Sequence, residues 1–522
     1  AECLCLAASH DSGRALLGPV VEAGALETLL DSPNARARSA AASTMAKLGV
    51  ASKALSTNSA DTGRLLNTAM QLLKRSADSA DGGHLEGADE AVATERAVEV
   101  LAALITKSAV KDELSHGSGR CAGALERLVK VCKDGRGALA YGLAHIFASL
   151  SVTNKEVQER ALAEKEMDIT PEQLEELQRI TKQKGDAEED TDDPEKCSFR
   201  IRQMVAHDAV RALVRLADGA SAKTSEQVAL ALRQLAVEPS VRGAMIQQGG
   251  YRLCLDLALS KEGSTEGSTE ARSGACKRDA TWCAAKVLIS TDPKALTGSQ
   301  CMGSIAPLVA LCRDHRASSL AHFEALLALT NVASKEETCQ ARIASGGGLR
   351  ALEYLQFSDH ELVRRAATEC MTNMLPHKSM VEHLRQPEKL KLWCALAQDY
   401  ERDFPTARAA AGALAMACGI EDAELNKSLV DNSRACPVFV ELLASPSPEL
   451  AHRAAVGVGY LCDCPGAVQK LLDLGARGAL TRLAKKKSPD WAQATQAASS
   501  SAEALRAAAG SLDASVDKQA PN

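Results

Sequence analysis

The sequence predicts an all-α chain of stacked helical repeats, and three observations carry that prediction. A motif recurs: sliding residues 321–331 forward by 42 places sets Phe323 on Arg365, Leu327 on Glu369 and Thr330-Asn331 on Thr372-Asn373. An arginine–alanine element recurs with it. Glu361-Leu362-Val363-Arg364-Arg365-Ala366-Ala367 returns as Pro405-Thr406-Ala407-Arg408-Ala409-Ala410 and as Glu449-Leu450-Ala451-His452-Arg453-Ala454-Ala455, placing Arg365, Arg408 and Arg453 43 and 45 residues apart. The composition agrees, because apolar residues make up 46% of the chain and aromatics only 3%. Its core is therefore alanine, leucine and valine, whose small side chains let helices approach closely. A helical period of about 40–47 residues is the mark of an armadillo/HEAT-like, right-handed superhelical solenoid, in which each repeat buries its face only against its neighbours. For such a chain, length does not count domains, although 522 residues would otherwise suggest several.

Along the chain, the unit reads as helix, glycine turn (Gly346-Gly347-Gly348), helix (Leu349, Leu352, Leu355), short loop, helix. Residues 1–152 hold repeats of this grammar. Gly24-Ala25-Leu26 leads into Ala35-Arg36-Ala37-Arg38-Ser39-Ala40-Ala41, with further helices over Glu95–Leu114 and Cys121–Leu150 and a loop over Ala77–Ala88. Residues 153–197 read as a helical, then acidic, linker running through Gly185-Asp186-Ala187-Glu188-Glu189-Asp190 to Pro194. A second repeat array is expected over 198–512, interrupted at 261–270 by a duplicated Gly-Ser-Thr-Glu insertion read as a disordered loop. Trp491 to Leu512 is an Ala/Ser-rich capping helix, and 513–522 a disordered tail. The chain opens on Ala1 inside a helical pattern and without methionine, which predicts a piece of a longer protein.

Several function classes are excluded on chemical grounds. A net charge of −6 and few aromatics argue against nucleic-acid binding. The apolar run Ala409–Met416 is far short of the roughly 20 residues a bilayer requires, so no membrane association is expected. The 17 cysteines include no C-x-x-C pair; Cys3/Cys5 and Cys462/Cys464 are too close for ordinary zinc spacing. Most others, such as Cys370 and Cys418, lie in helical apolar patterns, where a thiol packs as a small hydrophobe. Unpaired thiols without a signal peptide imply a reducing, cytoplasmic setting, in which the triplet Asn426-Lys427-Ser428 carries no meaning. Gly346-Gly347-Gly348 has no preceding strand and no phosphate-loop lysine; Gly249-Gly250 and Gly475 to Gly478 fill the same slot, so all three are repeat turns. No H-E-x-x-H, nucleophile elbow or Cys–His pairing stands out. His322 and His360 read as solvated or capping residues. We expect no enzyme, no catalytic residue, no metal and no cofactor.

Asn331 and Asn373 end their helical motifs at the same place, so stacking would align them. A carboxamide both donates and accepts, as an extended backbone requires. Helices pack about 8–10 Å apart and a strand advances about 3.3 Å per residue, so one rung would match roughly three peptide residues. The competing reading makes each asparagine a cap or a back-bond within its own helix, and both readings stay open here. Met416 and Leu461 take the equivalent places further along, so the ladder is short.

At these residues the sequence resembles the UCS-domain family, the myosin-directed chaperones of the uncoordinated class. The segments that carry the resemblance are Phe323–Asn331, Asp359–Met371, Lys391-Leu392-Trp393 and Arg408–Met416, with a weaker likeness at Ala138–Leu143 and Arg96–Glu99. The resemblance implies a central armadillo domain up to the acidic linker and the UCS domain after it. It implies a nucleotide-independent chaperone for the myosin motor domain, working with Hsp90. In animal members a TPR domain docks the Hsp90 tail, and no TPR-like pattern occurs here. Register and resemblance together nominate a groove of Phe323, Asn331, Tyr354, Arg364, Arg365, Glu369, Asn373 and Arg408. The chain departs from the family in the 261–270 insertion and in extra residues with Pro405 between Trp393 and Arg408. Tyr354 stands in for an aromatic the family tends to place near Leu355. The alternative is an armadillo cargo or peptide adaptor of the nuclear-import-receptor kind, or a scaffold; Trp282 and Trp393 stand outside the ladder positions such an adaptor would use. Self-association of chains stays open.

Overall fold

Short polar side chains start the long helices by taking backbone N–H groups that no helical carbonyl can reach. Ser318 accepts from Ala321, Asp403 from Thr406 and Ser447 from Leu450. Proline stands in the first turn after Asp403 and Ser447, where its missing N–H costs nothing. The computed structural model describes residues 1–17, 23–51, 59–80, 88–157, 192–260, 273–432, 434–464 and 466–517. Among these residues there are helices, turns and bends and no strand: the chain is an all-α solenoid.

It divides into two compact units, Ala1–Thr291 and Asp292–Asn522. The first contains helices α1 (Ala35–Ala51), α2 (Ala88–Leu104), α3 (Ser108–His116), α4 (Gly137–Leu150), α5 (Pro194–Ala206), α6 (Ala222–Leu235) and α7 (Gly274–Ile289), with shorter helices between them. Its ladder runs α1, α2, α4, α6, α7, each packed on the next. The second contains α8 (Ser319–Ala333), α9 (Gly348–Leu355), α10 (Glu361–Asn373), α11 (Phe404–Cys418), α12 (Pro448–Leu461) and α13 (Ala492–Asp517). There α8, α10, α11, α12 and α13 pack in sequence. Close approach follows from the small residues: Ala407, Ala410, Ala411 and Ala417 of α11 are fully buried. Of the 17 cysteines all but Cys3 are buried, as apolar packing requires.

The repeat turn has one backbone solution. Gly249, Gly347 and Gly475 each precede a helix in the left-handed region, with φ of 87°, 73° and 80°. At Gly347 a Cβ would also lie 2.2 Å from the Arg313 guanidinium. That guanidinium closes the turn by donating to the carbonyls of Gly346 and Gly347 at 3.0 and 2.6 Å. Asp208, at φ 61°, fills the corresponding place before Ala209–Leu216, a conformation that aspartate tolerates better than most residues.

Three expectations need correction or relocation. The segment 513–517, expected as disordered tail, continues α13 to Asp517. Ala77–Ala80, expected in a loop, end the helix Ser59–Ala80. The expected linker at 153–197 lies mostly outside the described residues, as does the 261–270 insertion. On either side of that linker α5 packs on α3 and α6 on α4, inside one unit, and the division between compact units falls after Thr291.

Candidate functional site

In the second unit, the outward faces of α10, α11 and α12 form a continuous wall. A cleft of about 860 Å³ opens along it, bounded by Thr372 of α10 on one side and by Asp490 and Gln493 on the other. Its shape comes from a spacing match between adjacent helices. Gly412 on α11 and Gly419 at its C-cap stand seven residues apart, about two helical turns, and Arg453 and Tyr460 have the same spacing on α12. A Cβ at Gly412 would come 2.5 Å from Arg453 Nη1, and one at Gly419 3.2 Å from the Tyr460 ring. Each glycine is therefore a seat for a large side chain from the next helix.

Arg453 Nη1 donates to the main-chain carbonyl of Arg408. Burial, and then the Arg408 charge, lower its pKa below the ordinary arginine value, yet an arginine stays cationic at neutral pH. A row of alternating charge runs across the wall: Arg365 Nε to Glu369 Oε1 at 2.9 Å, Glu369 Oε1 to Arg408 Nη2 at 3.9 Å, and Arg408 Nη1 to Glu449 Oε2 at 3.3 Å. Apolar surface breaks the row, since Met416 is 50% and Tyr460 47% exposed. Small residues below, guanidinium and carboxylate groups along the sides and two large exposed side chains suit a polypeptide segment with mixed apolar and charged groups.

The nominated residues separate on inspection. Arg365, Glu369 and Arg408 come together in the charged row, and Arg408 also lines the cleft. Arg364 is spent on architecture: its guanidinium holds Asp403, the cap of α11, at 2.9 Å and donates to the carbonyls of Ser358 and Asp359 at 2.9 and 3.0 Å. Asn373 Nδ2 donates to the Thr330 carbonyl at 3.3 Å, and its own carbonyl accepts from Gln340 at 3.1 Å. It therefore bridges two repeats, which neither reading of the ladder anticipated. Asn331 lies in the last turn of α8, its carbonyl accepting from Ser334 Oγ at 2.7 Å. Phe323 is half-buried on α8. Tyr354 sits on α9, off the wall helices, 65% exposed and edge-on to His315 at 6.1 Å. Of the two histidines read as solvated or capping, His322 places Nε2 3.1 Å from the Asp314 carbonyl and His360 precedes α10 without a side-chain cap bond.

The cleft residues that sequence reasoning left out of the groove include Gly412, Met416, Gly419, Glu449, His452, Arg453 and Tyr460. The signal for four of them was present: a glycine pair spanning α11 and its C-cap and an arginine–tyrosine pair on α12, both seven apart. The register also slipped by one residue at the last rung. Leu461 is fully buried, and its neighbour Tyr460 faces the cleft. Among the described residues, no group of three His, Cys, Asp or Glu could hold a metal ion, and no helix is long and apolar enough to cross a membrane.

No family model matches the chain. Protein unc-45 homolog B of Xenopus laevis is 28% identical to it over 366 residues, which cover 69% of this chain and 37% of that protein. The chain thus spans little more than a third of this relative's length. UNC-45 from Drosophila melanogaster superposes with a TM-score of 0.73 at 23% identity, over 97% of this chain and 60% of that one. The myosin chaperone UNC-45 from C. elegans, solved in complex with a Hsp90 peptide, superposes with a TM-score of 0.63 at 22% identity, over 95% of this chain and 52% of its own. At such identities the superpositions establish the fold.

Proposed function

We propose that this chain, which belongs to the UCS-domain family, is the client-holding part of a chaperone, and that its α11–α12 cleft grips a segment of the myosin motor domain while that domain folds. The observation that carries this reading is the cleft itself, with Arg408 and Arg453 beside exposed Met416 and Tyr460. A folding intermediate presents apolar side chains that the native state will bury. Covering one of them while charged flanks pair with the arginine and glutamate row slows aggregation without a chemical step. Holding of this kind consumes no nucleotide, and we take the chain to be non-enzymatic. The C. elegans relative is described with a Hsp90 peptide, and we infer that Hsp90 works beside this chain in the cytosol.

The experiment is heat aggregation of a purified myosin motor domain, followed by light scattering, with and without this chain. Wild type is expected to suppress scattering without ATP, and the Met416→Glu, Tyr460→Ala variant to lose most of that protection while melting like wild type. Equal protection of unrelated proteins, with no myosin enrichment from extract, would instead favour a general armadillo adaptor.

A further inference from the structure

We propose that a buried ion cluster in the first unit is a clasp that closes the chain on itself around residues 155–191, so that the helices on either side remain one unit when the backbone between them is cut. The chain leaves α4 at Leu150 and returns as α5 at Pro194. The ammonium group of Lys111, on α3, reaches the Val152 carbonyl at 2.9 Å, Asn154 Oδ1 at 2.7 Å and Asp192 Oδ2 at 2.9 Å. Its three N–H bonds are thereby all used. Asp192 Oδ2 also accepts the backbone N–H of Asn154 at 3.2 Å. Arg200, on α5, lies with Nη1 2.8 Å from Asp192 Oδ1 and 2.9 Å from Asp112 Oδ1, while its Nε donates to the Leu150 carbonyl at 3.0 Å.

The departing residues Leu150, Val152 and Asn154 and the returning Asp192 are thus pinned to one point. The cluster is dry at its centre, where the Lys111 and Asp192 side chains are 1% exposed and that of Arg200 is 0%. Lys196 meets the other oxygen of Asp112 at 3.3 Å on the wetter edge. Removing one charge from such a set leaves its partners buried and uncompensated, which is far costlier than losing a surface pair. Since α5 already packs on α3 and α6 on α4, packing and the ion cluster hold the two sides together independently of the backbone between them. The inference stands apart from the reading of the cleft.

The test uses the full chain with a specific protease site inserted between residues 170 and 180. After cutting, native gel filtration over a dilution series reads the association of the two pieces. The cut wild-type chain is expected to elute as one species at micromolar concentration. In the Asp192→Asn chain the pieces should separate at concentrations on the order of 100- to 1,000-fold higher than in wild type, the fold-change expected for breaking a buried pair. Asp193→Asn makes the same charge change at the exposed cap next door and should match wild type. Separation of the cut wild-type pieces, or an Asp192→Asn chain that holds as tightly as wild type, overturns the clasp. Circular dichroism of the uncut variants establishes that they fold. If uncut Asp192→Asn does not, Arg200→Lys, which keeps the charge and loses the fork to Leu150, Asp112 and Asp192, is read in the same way.

Discussion

The Asn373 side chain donates to the main-chain carbonyl of Thr330 at 3.3 Å, joining the C-terminal ends of α8 and α10. The contact occupies one amide hydrogen that a peptide rung would need, and it adds a second donor to a helix-end carbonyl that already accepts the Ser334 N–H at 3.2 Å. Asn373→Ala should therefore act on the fold. A neutral hydrogen bond contributes about 0.5–1.5 kcal/mol, so the melting temperature should fall by roughly 1–6 °C, with client affinity within about twofold of wild type. A variant that melts normally yet binds ten times more weakly would restore Asn373 to the groove.

Gly412→Ala separates the cleft from stability in the opposite sense. Alanine is favoured over glycine inside a helix by about 1 kcal/mol, but its Cβ would sit 2.5 Å from Arg453 Nη1 and displace the guanidinium from the Arg408 carbonyl. The fold should hold or gain slightly, because the displaced group is the end of a flexible side chain. Client affinity should drop about tenfold, the equivalent of one charge-assisted hydrogen bond. Binding measured by titration beside a thermal melt decides it, and unchanged affinity would remove Arg453 from the site.

Acid should weaken the clasp. Burial pushes the Asp192 carboxyl up, but hydrogen bonds from Arg200 and Lys111 outweigh burial and hold it below the usual carboxylate range. A folded pKa below the unfolded value of about 3.9 means a stabilising contribution fully present above that pH and lost as pH falls through the folded value. The stability gap between wild type and Asp192→Asn should be constant from pH 7 to pH 5 and shrink below about pH 4. Urea midpoints at pH 7, 5 and 3 measure it. A gap that stays constant into acid would show that the carboxylate charge is not what the cluster uses.

The thiols should divide sharply in reactivity. Cys3 is exposed, whereas burial pushes Cys121 and Cys436 up to about 11 and Cys370 up to about 12, leaving almost no thiolate at neutral pH. Iodoacetamide at pH 7.5, with labelling counted by mass spectrometry, should modify Cys3 quickly and the others only after denaturation. Rapid labelling of Cys370 or Cys436 in the native chain would mean that the second unit opens locally.

The repeat period, the all-α class and the glycine turns were legible because each is a property of residues close together in the chain. Alternation of small and large apolar residues, caps such as Ser318 and Ser447, and the Gly249, Gly347 and Gly475 slot need no knowledge of the neighbouring helix. The arginine–alanine element was equally visible, and Arg365, Glu369 and Arg408 do meet in one row.

What each outward-facing residue touches was decided only by tertiary structure. Consecutive residues on a helix differ by about 100° in direction, so an uncertainty of one in a period of 42–45 turns a surface position into a core one. That is why Leu461 was placed on the rung that Tyr460 occupies. It is also why Arg364 and Arg365, adjacent in sequence and alike in chemistry, went to different work, one to the cap Asp403 and one to the charged row. The clasp lay beyond sequence reading for the same reason, since Lys111 and Asp192 are 81 residues apart and nothing local marks them as partners. The sequence by itself determined the helices and their order of stacking, because propensity, capping and period act along the chain. Contacts between side chains on different helices depend on rotation and distance across the stack, and only the packed structure sets those.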